Sequence, residues 1–334
     1  MDAAETKAAL TVALMAAFAD GLKDDRERAS VKRVAEALGQ DAGMDLPALY
    51  REVLLSKPDL AQVTTGLRTP ETRQLAYEMA VGVCDADGAQ GPAEKDFLRR
   101  LATALGLPES TASSVAASAD EVADAALAPD EPVITAASAA GVSGQSGTSG
   151  AATSGTVMGK ASLSDAEMDK LILNAAVTNA ALELLPESLA SMAIIPLQMR
   201  LVYRMGKAHG YEMDRTHAKD FLATLGVGLT SQYLEQFGRK LLGGLLGTVG
   251  GGLGRSIGRQ AASSGFTFAT TYALGRVAQR YYAGGRTLDA ATLKQAFTAL
   301  LAEAKGLAPR YQSEIEQKAT TIDTRSLAAL IKQA

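Results

Sequence analysis

Tryptophan is absent from the 334 residues, cysteine occurs once and histidine twice. A lone thiol, Cys84, excludes an internal disulfide, and with only His209 and His217 beside it the chain cannot build a closed four-ligand zinc site from Cys and His. A reducing compartment is implied. Aromatic residues make up only 5% of the chain, and runs of β-branched and aromatic side chains of the kind that form strands are scarce. Abundant Ala, Leu and Gly point instead to helices. The opening residues Met1-Asp2-Ala3-Ala4-Glu5 are acidic and offer no basic n-region of a secretory signal, so the expected location is cytoplasmic. No Ser/His/Asp set stands out, and Gly155–Lys160 is too short between glycines, and lacks the Ser or Thr after its Lys, to be a phosphate loop.

Opposite charges divide the chain. Residues 1–118 hold 13 basic and 18 acidic groups, residues 119–163 hold 1 and 5, and residues 164–334 hold 19 and 14, for a net charge of −4. An acidic first part excludes nucleic acid as its partner, and a basic second part suits an anionic surface.

At this length two domains are expected. Between Ala128 and Leu163 lie Pro129, Pro132 and the run Gly-Val-Ser-Gly-Gln-Ser-Gly-Thr-Ser-Gly from Gly141 to Gly150, a flexible linker too poor in large apolar side chains to form a core. Residues 1–127 before it show helical apolar spacing at Leu10–Phe18, Val31–Leu38, Leu46–Leu55, Leu75–Val83 and Phe97–Leu105. Residues 164–334 show it at Met168–Leu185, Leu189–Met205, Ala218–Leu242, Phe266–Tyr282 and Ala290–Leu307, with one or two polar helices from Arg310 onward. The expected fold is all-α, a helical bundle with an internal repeat joined to a second helical domain with a glycine-rich hairpin.

The repeat is acidic. Ala19-Asp20-Gly21 with Glu27 aligns with Ala86-Asp87-Gly88 with Glu94, and each copy leads into a helix ending in Ala-Leu-Gly. Both copies predict a helix ending at Asp, a left-handed Gly, and a new helix with Glu in its first turn. Capping accounts for the glutamates: Asp24 with Glu27, and Gly91-Pro92 with Glu94, have cap spacing. It leaves Asp20, Asp85 and Asp87 at the negative end of a helix dipole, where each carboxylate costs about 0.3–1 kcal/mol. A hard divalent cation, calcium, magnesium or manganese, would relieve that, collecting Asp20, Asp24 or Asp25 and Glu27 in one turn and Asp85, Asp87 and Glu94 in the other. Plain capping and solvation remain the alternative. The spacing is not that of an EF-hand.

The repeated Asp-Gly turn with Glu seven residues after the Asp, in a bundle of this length, resembles the TerB tellurite-resistance family over roughly residues 5–118. The resemblance implies a helical fold, a link to chemical stress, and a metal-binding role for Asp20, Asp24, Asp25, Glu27, Asp85, Asp87 and Glu94. The second copy departs from the first in having Gly91 where the first has Asp24.

The second domain carries its own anomaly. No acidic residue occurs between Glu235 and Asp289, whereas Arg239, Lys240, Arg255, Arg259, Arg276, Arg280 and Arg286 do, and nine glycines fall between 238 and 258. Glycine in a helix costs about 0.5–1 kcal/mol relative to Ala, so such a run requires close helix packing or is a loop. Uncharged runs from Leu241 to Gly254 and Gln260 to Gly275 fall short of the roughly 20 residues of a membrane span. A hairpin turning at Arg255 and Arg259 fits, either re-entrant or peripheral at an anionic membrane such as the inner membrane, or buried in a soluble core.

Glu183-x-x-Pro186, Gln198-Met199 with Val202-Tyr203 and Gly210, and Thr271-Tyr272-Ala273-Leu274-Gly275 followed by Tyr281-Tyr282-x-Gly284-Gly285 resemble the YcjF-like family over about residues 165–305. That resemblance implies membrane association and a GTPase-like partner. Cys84 reads as a buried structural thiol, and His209 and His217 flank a solvated turn. The sequence as a whole points to a non-enzymatic adaptor, a divalent-cation-binding bundle linked to a membrane- or GTPase-associated domain. The alternative is a soluble scaffold or homo-oligomerisation protein with no metal site.

Overall fold

A computed structural model describes residues 2–21, 29, 31–34, 36, 45–86, 90–128, 162–185, 188–225, 232–238, 241 and 253–333, with the backbone alone for 188–189 and 253–263. Among these the fold is all-α, with no strand. Fourteen α-helices run in order: α1 (Ala3–Ala17), α2 (Leu46–Ser56), α3 (Leu60–Thr64), α4 (Pro70–Cys84), α5 (Pro92–Leu105), α6 (Glu109–Ala125), α7 (Asp165–Glu183), α8 (Ser188–Met192), α9 (Ile194–Ala208), α10 (Arg215–Thr224), α11 (Leu253–Ala283), α12 (Ala290–Leu307), α13 (Gln312–Thr321) and α14 (Leu327–Gln333). Residues 31–34 and 232–238 are also helical. Most of the expected linker lies outside the described residues.

Local chemistry sets the helix starts. Asp2 caps α1 in a closed capping box with Glu5, Ser164 does the same for α7 with Glu167, and Pro70 and Pro92 occupy the first positions of α4 and α5. The Thr69 hydroxyl accepts from the Thr72 N–H at 3.2 Å. Replacing Thr69 with Ala is expected to cost about 1 kcal/mol, read as a lower urea midpoint with an unchanged slope.

In the first half α1 lies along α4. They run parallel: Arg68, just before α4, pairs with Asp2 at 2.9 Å, while at the far ends the Cys84 thiol meets the Ala16 carbonyl at 4.0 Å. α6 was unread in the sequence because Glu109–Ala125 is mostly small and polar. Its stripe of Val115, Ala119, Val122 and Ala125 is nonetheless buried.

In the second half α11 is the central helix, packed on α7, α9 and α12. Gly275 permits this: a Cβ there would lie 2.8 Å from Ile172 Cγ1 and 3.0 Å from Leu201 Cδ2. Across the same three helices runs a buried polar chain. Asn179 Nδ2 and Gln198 Nε2 both donate to Thr271 Oγ1 at 3.1 Å, and Gln232 Nε2 donates to Gln198 Oε1 at 2.7 Å.

Two sequence expectations are corrected. The helix expected over Leu189–Met205 breaks at Ala193 into α8 and α9. Pro196 has no N–H to give the Met192 carbonyl four residues back, and that carbonyl instead accepts from the Tyr233 hydroxyl at 3.0 Å. Arg255 and Arg259, expected at a hairpin reversal, lie within the continuous helix α11. The glycines from 243 to 252 fall outside the described residues.

The halves touch directly. α14 packs on α6, and α4 packs on α8. Arg200 on α9, 1% exposed, donates to the Ala128 carbonyl at the exit of α6 and, at 3.1 Å, to the Lys332 carbonyl on α14. Arg215 Nη2 meets the Ala123 carbonyl at 3.1 Å and Asp124 at 3.2 Å. Two cations thus sit at the negative end of α6, where they are favoured.

Candidate cation site

Three of the seven acidic residues singled out in the sequence, Asp20, Asp85 and Glu94, belong to the described residues; Asp24, Asp25, Glu27 and Asp87 lie outside them. Asp85 is the C-cap residue of α4, with its N–H on the Val81 carbonyl at 2.8 Å, and is 7% exposed. Its carboxylate therefore lies against the helix dipole, as expected. Asp20 differs. α1 ends at Ala17, so Asp20 stands three residues beyond it, exposed, before Gly21 in the left-handed region at φ 89°. Glu94 works as a cap: its Oε2 accepts the Gly91 N–H at 2.6 Å.

The three carboxylates gather at one end of the bundle. Cys84, 1% exposed at the end of α4, marks the place. Burial pushes its thiol well above the usual range, and the negative charges of Glu94, Asp85 and Asp20 push it further. Asp20, just beyond α1, thus stands at the same end of the parallel pair α1 and α4 as Asp85. The donors are all hard oxygens, the set that calcium, magnesium or manganese takes. Among the described residues, however, no group of three or more His, Cys, Asp or Glu side chains is close enough to hold a metal ion. As the sequence predicted, the Cys84 thiol is buried.

This end of the bundle is also where the halves meet, which the sequence did not disclose. A Cβ on Gly82 would lie 3.1 Å from Phe237 Cε2 and 3.2 Å from Met192 Cγ. Tyr233 stacks on Phe237 with ring centroids 6.1 Å apart. Burial raises the Tyr233 phenol far above its usual range, and the charge of Asp85 adds to that. The only sequence signal was a glycine inside an apolar helical run.

The histidines sit in an ordinary turn. His217 Nδ1 and Asp214 Oδ1 are 2.8 Å apart while Asp214 caps α10, and His209 Nδ1 is 2.8 Å from the Met205 carbonyl. The basic stretch is thinner than its sequence implies. Arg276 binds Asp169 and the Tyr272 hydroxyl, and Arg286 stacks over Tyr211 at 5.7 Å. Arg280 is exposed; the side chains of Arg239, Lys240, Arg255 and Arg259 are outside those described. No helix among the described residues is long and apolar enough to cross a membrane.

Among the described residues, fold and site together define an all-α protein whose first half brings Asp20, Asp85 and Glu94 to one end of a helical bundle. A family model for tellurite resistance protein TerB matches residues 6–117, nearly the whole of that first half. Over those residues the helical first half is therefore similar to the TerB tellurite-resistance family. The match stops short of the second half, for which no comparison supports a YcjF-like assignment. No curated protein and no solved structure matches the chain.

Proposed function

We propose that the protein is a non-enzymatic, stress-associated adaptor whose first half takes up a divalent cation at its paired acidic turns and relays that event to the second half. The observation carrying this reading is the gathering of Asp20, Asp85 and Glu94 around the Cys84 end of α4, where a cation would offset both their mutual repulsion and the dipole of α4. The relay is supported by the contact of that same end with Phe237 and Met192. Residues 232–238 lead directly into the acid-free, glycine-rich stretch. Its partner on this reading is an anionic membrane surface met by Arg239, Lys240, Arg255 and Arg259. A GTPase-like partner has only the sequence resemblance behind it and is not carried forward.

The test is a titration of Ca²⁺, Mg²⁺ and Mn²⁺ into the full chain while the thermal midpoint is followed. An ion present at a hundredfold over its Kd stabilises by about 2.7 kcal/mol, so a rise of several degrees is expected at millimolar concentration. Asp20→Asn and Glu94→Gln should each reduce it, the latter while keeping an acceptor for the Gly91 N–H. No rise with any of the three ions would sink the reading. Flotation of the full chain with anionic vesicles tests the partner, and recovery only in the soluble fraction would remove the membrane from the proposal.

A further inference from the structure

Away from the acidic turns, three helices of the second half enclose a cleft of about 420 Å³. Each wall is a run of residues one helical turn apart. α7 supplies Asn174, Val177 and Thr178; α13 supplies Glu314, Gln317, Lys318 and Thr321; α14 supplies Leu330 and Gln333. The spacing i, i+3, i+4 and i+7 puts the four α13 residues on one face. The floor is buried, Val177 at 4% and Thr178 at 6% exposure, and Leu330 is half-buried beside it. The size falls in the range of small-molecule sites.

Two opposite charges line this cleft. Glu314 and Lys318 stand four residues apart with Glu first, the order that best favours an ion pair on a helix. No ion pair forms between them within 4.0 Å, nor does either pair with another described residue. A helix rises about 1.5 Å per residue, so the two residues stand about 6 Å apart along the axis of α13 at the backbone, and both line the cleft. Carboxamides of Asn174, Gln317 and Gln333 and the Thr178 hydroxyl line the same space, able to donate or accept, while the Thr321 hydroxyl donates to the Lys318 carbonyl at 2.8 Å and offers the cleft an acceptor. Val177, Leu330 and the Thr178 methyl group make a small aliphatic patch among them.

We propose that this cleft binds a small zwitterion with an aliphatic body, an α-amino acid of the leucine type. Its ammonium group meets Glu314 and the Gln317 carbonyl oxygen. Its carboxylate meets Lys318, with Asn174 as a further donor, and its side chain lies on Val177 and Leu330. A ligand carrying both charges satisfies both walls at once, whereas a simple anion or cation would leave the opposite charge facing it. The site is independent of the cation reading, because none of its residues belongs to the first half.

Calorimetric titration of the full chain with L-leucine over roughly 0.1–10 mM tests this, a range set by the modest affinity of a small ligand for an open, water-filled cleft. Saturable binding is expected, weakened at least tenfold for 4-methylpentanoate, which lacks the ammonium group, for isoamylamine, which lacks the carboxylate, and for glycine, which lacks the aliphatic body. Glu314→Gln and Lys318→Gln should each weaken leucine binding at least tenfold with the thermal midpoint unchanged, since both groups reach solvent. Absence of saturable binding to the unaltered chain, or binding by both variants equal to it, overturns the proposal. Glycine binding as tightly as leucine overturns the aliphatic part.

Discussion

Replacing Thr271 with Val is expected to destabilise the protein by about 2–6 kcal/mol while leaving its helix content intact. Val has nearly the shape of Thr, so the packing of α11 on α7 and α9 survives and the loss isolates one hydroxyl. That oxygen accepts two hydrogen bonds, from Asn179 Nδ2 and from Gln198 Nε2, each at 3.1 Å. Asn179 is fully buried and Gln198 is 1% exposed, so water cannot replace the lost acceptor. Each buried donor left unmade costs about 1–3 kcal/mol, which gives the range. Urea unfolding followed by far-UV circular dichroism measures it.

A second substitution separates this cause from a packing defect. Asn179 Oδ1 is itself buried without a hydrogen-bond partner, so Asn179→Leu in the Thr271→Val background removes one orphaned donor and that acceptor together. Replacing both partners of a buried hydrogen bond by apolar groups of similar shape is close to neutral. The double variant should therefore recover much of the lost stability. A double variant as unstable as the sum of the two single ones would show that the hydroxyl was not the cause.

Helical periodicity in the sequence was enough to establish the all-α class, because apolar residues repeat at 3.6-residue spacing through α2, α5 and α12 and prolines mark the starts of α4 and α5. It failed where burial does not use large side chains. α6 hides its buried face in alanines and two valines. The break between α8 and α9 came from the missing N–H of Pro196, and it held because Tyr233, about forty residues later in sequence, was there to take the Met192 carbonyl. No local pattern reports a partner at that distance.

The candidate site was legible to the same degree. The dipole argument placed Asp85 correctly, since a C-cap carboxylate is a purely local fact. It misplaced Asp20 relative to its helix because α1 ends at Ala17 and not at the Asp. That Asp20 and Asp85 stand at the same end depends on α1 and α4 running parallel, seen in Arg68 with Asp2 at one end and Cys84 with Ala16 at the other. The basic stretch shows the opposite error. Counting arginines overstated the charge available to a partner, because Arg276 and Arg286 are engaged by Asp169 and by the tyrosines at the end of α11.

One glycine that the packing of the second half depends on is Gly275, outside the run that drew attention in the sequence. Gly275→Ala is expected to cost about 1–3 kcal/mol, the usual penalty for adding a methyl group to a filled core. The new Cβ would lie 2.8 Å and 3.0 Å from the two γ carbons of Ile172 and 3.0 Å from Leu201 Cδ2, closer than carbon atoms approach without displacement. Ile172 is fully buried and Leu201 is 2% exposed, so neither has open space to move into. Alanine's better helix propensity, worth about 0.5–1 kcal/mol, offsets part of the cost. Shortening Ile172 to Ala removes both clashing γ carbons. On its own that change costs about 2–5 kcal/mol through the cavity it leaves, but with Gly275→Ala the new methyl group occupies part of that cavity. The double variant should then be more stable than the sum of the single ones by about 1 kcal/mol or more, the coupling expected of residues in contact. Additive losses would mean that α7 and α11 move apart to admit the methyl group, and that the close approach at Gly275 is not what holds them together.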